Sequence, residues 1–89
     1  HLQEHLLVER FTKTIELEPK NPSAYACRAD TYFNMQDYRR AAADYTKAIE
    51  RNPNDADYYL KRGMCYQELG DSAKADADFD KVLELRAKK

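Results

Sequence analysis

Apolar residues return every three to four positions along most of the chain, and Pro, Asn, Asp and Gly interrupt the pattern at spaced points. That spacing predicts amphipathic helices separated by short turns. From about Leu2 to Glu18, the residues Leu7, Phe11, Thr14 and Ile15 share one helix side. Pro19 ends this helix, because the residue before a proline is pushed out of the helical region. Asn21-Pro22 starts the next one, with Asn as N-cap and Pro at the first helical position. This second helix runs to about Met35, with Tyr25, Arg28, Ala29 and Tyr32 on its inner face. Asp37 caps a third helix that turns Ala41, Tyr45, Ala48 and Ile49 inward. Asn52-Pro53-Asn54-Asp55 is a turn, and a fourth helix follows from about Ala56 to Leu69. Gly70 supplies a left-handed C-cap, and Asp71 caps a fifth helix carrying Ala75, Phe79, Val82 and Leu83 inward. No stretch alternates as a strand does. The expected class is all-α, with five antiparallel helices joined by short turns.

The pattern also repeats at a period of 34 residues. Tyr25, Arg28, Tyr32, Asp37, Ala41, Asp44 and Lys47 return as Tyr59, Arg62, Tyr66, Asp71, Ala75, Asp78 and Lys81. A period in this range means stacked units that bury their faces against neighbours. Ala29 and Gly63 are small where helices cross closely, and Tyr45 and Phe79 fill the space they leave. Arg28 and Arg62 stand among apolar interhelix positions, where an isolated charge is costly. Each recurs with an acid at the same separation, so Arg28 and Arg62 are expected to meet Asp44 and Asp78. The contact is expected within a repeat, or across to the neighbour as Asp44 with Arg62.

Charge narrows the function classes. Fifteen basic and 16 acidic residues nearly cancel, which gives no support to a nucleic-acid or polybasic membrane surface. No apolar run approaches the roughly 20 residues of a membrane-spanning helix. The two cysteines, Cys27 and Cys65, occupy different repeat positions and lack a CxxC spacing, which points to reduced thiols in an intracellular protein. The chain begins at His1 rather than Met, so it is expected to be a piece of a longer protein.

Motifs that suggest chemistry lose to their surroundings. His1-Leu2-Gln3-Glu4-His5 matches a zinc-peptidase string but lies at the chain start, with no third ligand in view. Asp76-Ala77-Asp78-Phe79-Asp80 resembles the start of a calcium loop, yet Lys81 and Ala87 stand where that loop needs Gly and Glu. Gly63 and Gly70 are too few for a phosphate loop, and both histidines sit at the N-terminus, which leaves no catalytic triad. No cofactor, metal or enzymatic activity is expected.

The residues then match a family. Tyr25-x-x-Arg28-Ala29-x-x-Tyr32, Ala41-x-x-x-Tyr45-x-x-Ala48 and Pro53 resemble the tetratricopeptide repeat, and Tyr59, Arg62-Gly63, Tyr66, Gly70, Ala75, Phe79 and Val82 repeat the pattern. The resemblance implies a short right-handed α-solenoid. Residues 1–20 look like the second helix of a partial repeat, followed by repeats at 22–55 and 56–89. Two positions depart from the family: Ala87 replaces the usual proline, and Arg28 and Arg62 stand where leucine is commonest.

Members of this family are adaptors whose first helices line a concave, partner-binding groove. Carried onto this chain, the groove would display Cys27, Asp30, Phe33 and Asn34 from one repeat, and Asp57, Leu60, Lys61, Met64, Gln67 and Glu68 from the next. Phe33, Leu60 and Met64 are apolar residues that packing within a repeat does not require, so they are the expected anchors. One subclass grips a chaperone's C-terminal carboxylate with a Lys/Asn/Arg clamp. Ala26, Asp30, Asp57 and Lys61 stand at the matching positions, and only Lys61 has the right charge. The expected partner is therefore a protein or peptide of basic or amphipathic character, met in the cytoplasm or nucleus. The alternative is structural: self-assembly through exposed end helices.

Overall fold

The computed structural model describes residues 2–88. The described residues form five helices: α1 (Leu2–Leu17), α2 (Pro22–Asn34), α3 (Tyr38–Arg51), α4 (Ala56–Glu68) and α5 (Ser72–Ala87). The starts of α2 to α5 are capped by side chains that satisfy otherwise unpaired N–H groups. Asn21 accepts from Ser23 N at 3.0 Å, Asp55 from Asp57 N at 3.0 Å, Asp37 from Arg40 N at 3.3 Å and Asp71 from Lys74 N at 3.1 Å.

Two turn types alternate. The proline turns are tied back by tyrosine: Tyr25 Oη donates to Pro19 O at 3.2 Å, and Tyr59 Oη to Pro53 O at 3.0 Å. The tighter turns end α2 and α4 with a left-handed residue, Gln36 at φ 64° and Gly70 at φ 81°. Asp37 N then reaches Tyr32 O, and Asp71 N reaches Tyr66 O, both at 2.9 Å. These are paired Schellman closures. Without proline at Ala87, α5 continues to that residue.

The extensive contacts run between chain neighbours, from α1 on α2 through to α4 on α5. The resulting slab measures 36 × 27 × 15 Å. Its core divides into two clusters. One lies at the proline-turn end, where Tyr25, Ala48, Ile49, Tyr58, Tyr59 and Val82 collect Ile15 and Leu85 from the outer helices. The other lies at the tight-turn end, where Ala29, Ala41, Ala42, Tyr45 and Cys65 meet Tyr32, Phe33, Tyr38 and Tyr66. Helix approach depends on small residues here: a Cβ placed on Gly63 would stand 2.6 Å from Phe79 Cε1.

Arginine clips join the units. Arg28 Nε and Nη2 donate to both Asp44 oxygens, at 2.7 and 2.9 Å, and Nη1 donates to Thr12 Oγ1 at 3.0 Å. Arg62 makes the same set with Asp78, at 2.9 and 2.7 Å, and with Thr46 at 3.1 Å. Each acid partner is thus within the repeat, and the link across to the preceding unit is a threonine rather than Asp44 with Arg62. Hydrogen bonding to the buried carboxylates raises both guanidinium pKa values. No buried side-chain N or O among the described residues lacks a partner.

Candidate functional site

α2 and α4 present their outer faces side by side, and a cavity of about 340 Å³ opens between them. Asp30, Phe33 and Asn34 line it from α2, Leu60, Lys61 and Met64 from α4, and Tyr45 of α3 forms its floor. One turn separates Asp30 from Phe33 and Asn34, and Leu60 from Met64, so each set falls on one helix face.

The polar rim is a chain of four side chains. The buried Tyr45 hydroxyl donates to Asp30 Oδ1. Lys61 Nζ donates to Asp30 Oδ1 at 3.2 Å and to Oδ2 at 3.4 Å, and lies 3.3 Å from Asp57 Oδ2. Burial opposes the Lys61 charge, but Asp30 and Asp57 outweigh it and raise the lysine's pKa. Burial, reinforced by the hydrogen bond to Asp30, pushes the Tyr45 phenol well above its usual range. The rim therefore sets two carboxylates against one ammonium.

The other residues expected in the groove lie outside the cavity lining. Cys27, Gln67 and Glu68 are exposed on α2 and α4, and Asp57 is reached through Lys61. Two of the three apolar residues also pack onto the fold. Phe33 meets Tyr38 of its own repeat edge-on, with ring centroids 5.2 Å apart, and Leu60 packs against the proline-end core. Met64 is the most exposed of the three, at 39%.

Three participants were missed. Tyr45 reads as core from its period, and the only sign of its hydroxyl's role is that its counterpart one period on is Phe79. Thr12 and Thr46 were also overlooked, although they recur 34 residues apart and each precedes its arginine by 16.

Metal and thiol chemistry find no support in the geometry. No three His, Cys, Asp or Glu side chains among the described residues are placed to hold a metal ion, and His1 of the histidine string lies outside those residues. Both thiols are free, and burial pushes the Cys65 pKa up to about 12. No helix among the described residues is long and apolar enough to cross a membrane.

Two family profiles, both described as tetratricopeptide repeat, match residues 22–55 and 44–77. The solved structure of the second TPR of Spaghetti (RPAP3), bound to the HSP90 peptide SRMEEVD, is 32% identical with a TM-score of 0.85. That match covers 88% of this chain and 72% of the other. The chain belongs to the tetratricopeptide repeat family. The Arabidopsis OM64 TPR domain is similar at 29% identity and a TM-score of 0.89, over 98% of this chain and 72% of that one. MamA is similar at 25% identity and a TM-score of 0.87, over 90% of this chain, which spans only 47% of MamA. A search of curated proteins by sequence gives no match. In tetratricopeptide terms the α2/α4 cavity lies along the first helices of two successive helix pairs, and Arg28 and Arg62 hold those pairs together.

Proposed function

We propose that this tetratricopeptide chain is a protein-interaction module that holds a partner's peptide segment in the α2/α4 groove. Residues 22–55 and 56–89 act as two repeats, and residues 1–20 as the second helix of a partial one. The reading is carried by one observation: an apolar cavity between Phe33, Leu60 and Met64 bordered by two carboxylates and a single ammonium. Such a site suits an apolar side chain beside a basic one. The two free thiols fit an adaptor working in the reducing cytoplasm or nucleus.

The similar Spaghetti domain carries an acidic peptide. In this chain Asp30 and Asp57 flank the one lysine, so an acidic ligand meets like charges across the rim. Fluorescence anisotropy with two labelled peptides tests the reading, one basic and amphipathic and the other SRMEEVD. The basic peptide should bind more tightly and be weakened by Met64→Gln, which makes the cavity polar without adding charge. Equal binding by the Met64→Gln protein would remove the groove from the function.

A second reading, weak self-association through the ends, rests on Leu6 and Leu83, which are 57% and 67% exposed on the outer helices. Sedimentation gives a mass that rises with concentration if it holds, and a constant monomer mass if it does not.

A further inference from the structure

We propose that Lys61 keeps Asp30 occupied in the free protein, and that an arginine of the bound partner segment takes its place. The proposal rests on the groove reading above and names the chemistry of its occupant. Periodicity separates these side chains from those that build the fold. The clip Thr12–Arg28–Asp44 returns 34 residues later as Thr46–Arg62–Asp78, and the tyrosine tie to proline also returns. The groove chain does not. One period away from Asp30, Tyr45, Lys61 and Asp57 stand Met64, Phe79, Cys27 and Ser23. Met64 and Phe79 cannot repeat the Asp30–Tyr45 hydrogen bond, so the α4/α5 pair forms without it, and packing within a helix pair does not account for it.

The geometry suits an exchange. The Tyr45 hydroxyl anchors one oxygen of Asp30 from below, so the carboxylate stays oriented whether or not Lys61 remains. The Asp30 and Asp57 side chains are 43% and 56% exposed, leaving acceptor positions open beside the single ammonium. Lys61 is a flexible point charge in a half-exposed pair, the kind of contact that adds little and breaks readily. Asp57 lies four residues earlier on the same helix, so Lys61 keeps a partner after leaving Asp30. An arriving guanidinium offers Asp30 two parallel donors, which one ammonium cannot match. Two acids then face two cations, and the adjoining cavity receives an apolar neighbour of the arginine.

The test uses amidated nine-residue peptides that differ at one site, with arginine, citrulline or glutamate between two leucines. Affinities are measured by anisotropy with the unaltered chain and its variants, and thermal melts verify folding. The arginine peptide should bind tighter than the citrulline one. Lys61→Gln should strengthen arginine binding about tenfold, and Asp30→Asn should weaken it by a similar factor. Tyr45→Phe should weaken it less. If Lys61→Gln weakens arginine binding, or the glutamate peptide is preferred, the exchange is wrong while the groove stands. If no peptide binds better to the unaltered chain than to Met64→Gln, which makes the cavity polar without adding charge, the groove itself is wrong. Should Lys61→Gln fail to fold, Asp57→Asn serves instead. It leaves Lys61 only Asp30, so arginine binding must weaken, and unchanged binding overturns the exchange.

Discussion

Gln36 and Gly70 hold the same place in successive turns, and only one of them is glycine. A side chain in the left-handed region brings its Cβ too close to the carbonyl, at a cost of about 1–2 kcal/mol. Glycine avoids that but loses more backbone freedom on folding. The net expectation is that Gln36→Gly stabilises the chain by about 1 kcal/mol in urea unfolding. The arginine clips act in the opposite sense. Asp78 is 4% exposed and answers two guanidinium donors, so its removal leaves Arg62 with an unmatched charge. Asp78→Ala should cost about 2–4 kcal/mol, below the top of the buried-pair range because the Arg62 side chain keeps 18% exposure. Thr46→Val removes one hydrogen bond of the same clip and should cost about 1 kcal/mol. Equal losses for the two substitutions would show that the carboxylate has no special place in the clip.

The groove wall combines packing and display within single helices. Phe33 on α2 leans on Tyr38 of α3, whereas Met64 on α4 is the more exposed of the two. The two should therefore separate experimentally. Met64→Ala should change stability by less than about 0.5 kcal/mol while weakening peptide binding by about 1–2 kcal/mol. Phe33→Ala should lower both, by about 1–3 kcal/mol in stability, because the aromatic contact is lost with the cavity wall. Thermal melts beside anisotropy check both. A Met64→Ala protein that melts like Phe33→Ala would make Met64 a core residue.

For the whole molecule, stability is carried by contacts between successive helices, and the tight-turn cluster joins α2, α3 and α4. Cys65 and Tyr45 sit fully inside that cluster. Both have pKa values raised by burial, the thiol to about 12. In the unfolded chain the thiol ionises near pH 8.5 and the phenol near pH 10. A pKa raised on folding contributes stability that is complete below the unfolded value and is lost as pH rises. Stability should therefore hold up to about pH 8.5, then fall by about 1.4 kcal/mol per pH unit towards pH 12, and faster once Tyr45 contributes above about pH 10. Urea midpoints across this range check it. Cys65→Thr, which copies Thr31 of the preceding repeat, should flatten the first part of the fall.

The sequence by itself determined the elements, the stacking and the family. Helix starts and ends depend on local chemistry: Pro19 and Pro53 break the chain, Asn21, Asp37 and Asp71 cap it, and Gly70 turns it. A 34-residue period carries those signals forward, so neighbour-on-neighbour packing could be read without coordinates. The pairing of Arg28 with Asp44 was legible for a related reason: a charge at an apolar interhelix position needs a counterion, and the same spacing occurs twice. The floor and rim of the groove were decided by tertiary structure. Nothing local marks Tyr45 as more than core, or shows that Lys61 lies against Asp30 from 31 residues away. Nor does spacing reveal that Phe33 turns onto Tyr38 or that Thr12 and Thr46 complete the arginine clips. Helix faces follow from a period along one chain. Contacts between side chains of different helices depend on how those helices cross and which rotamers then reach one another, and only the packed molecule sets those distances.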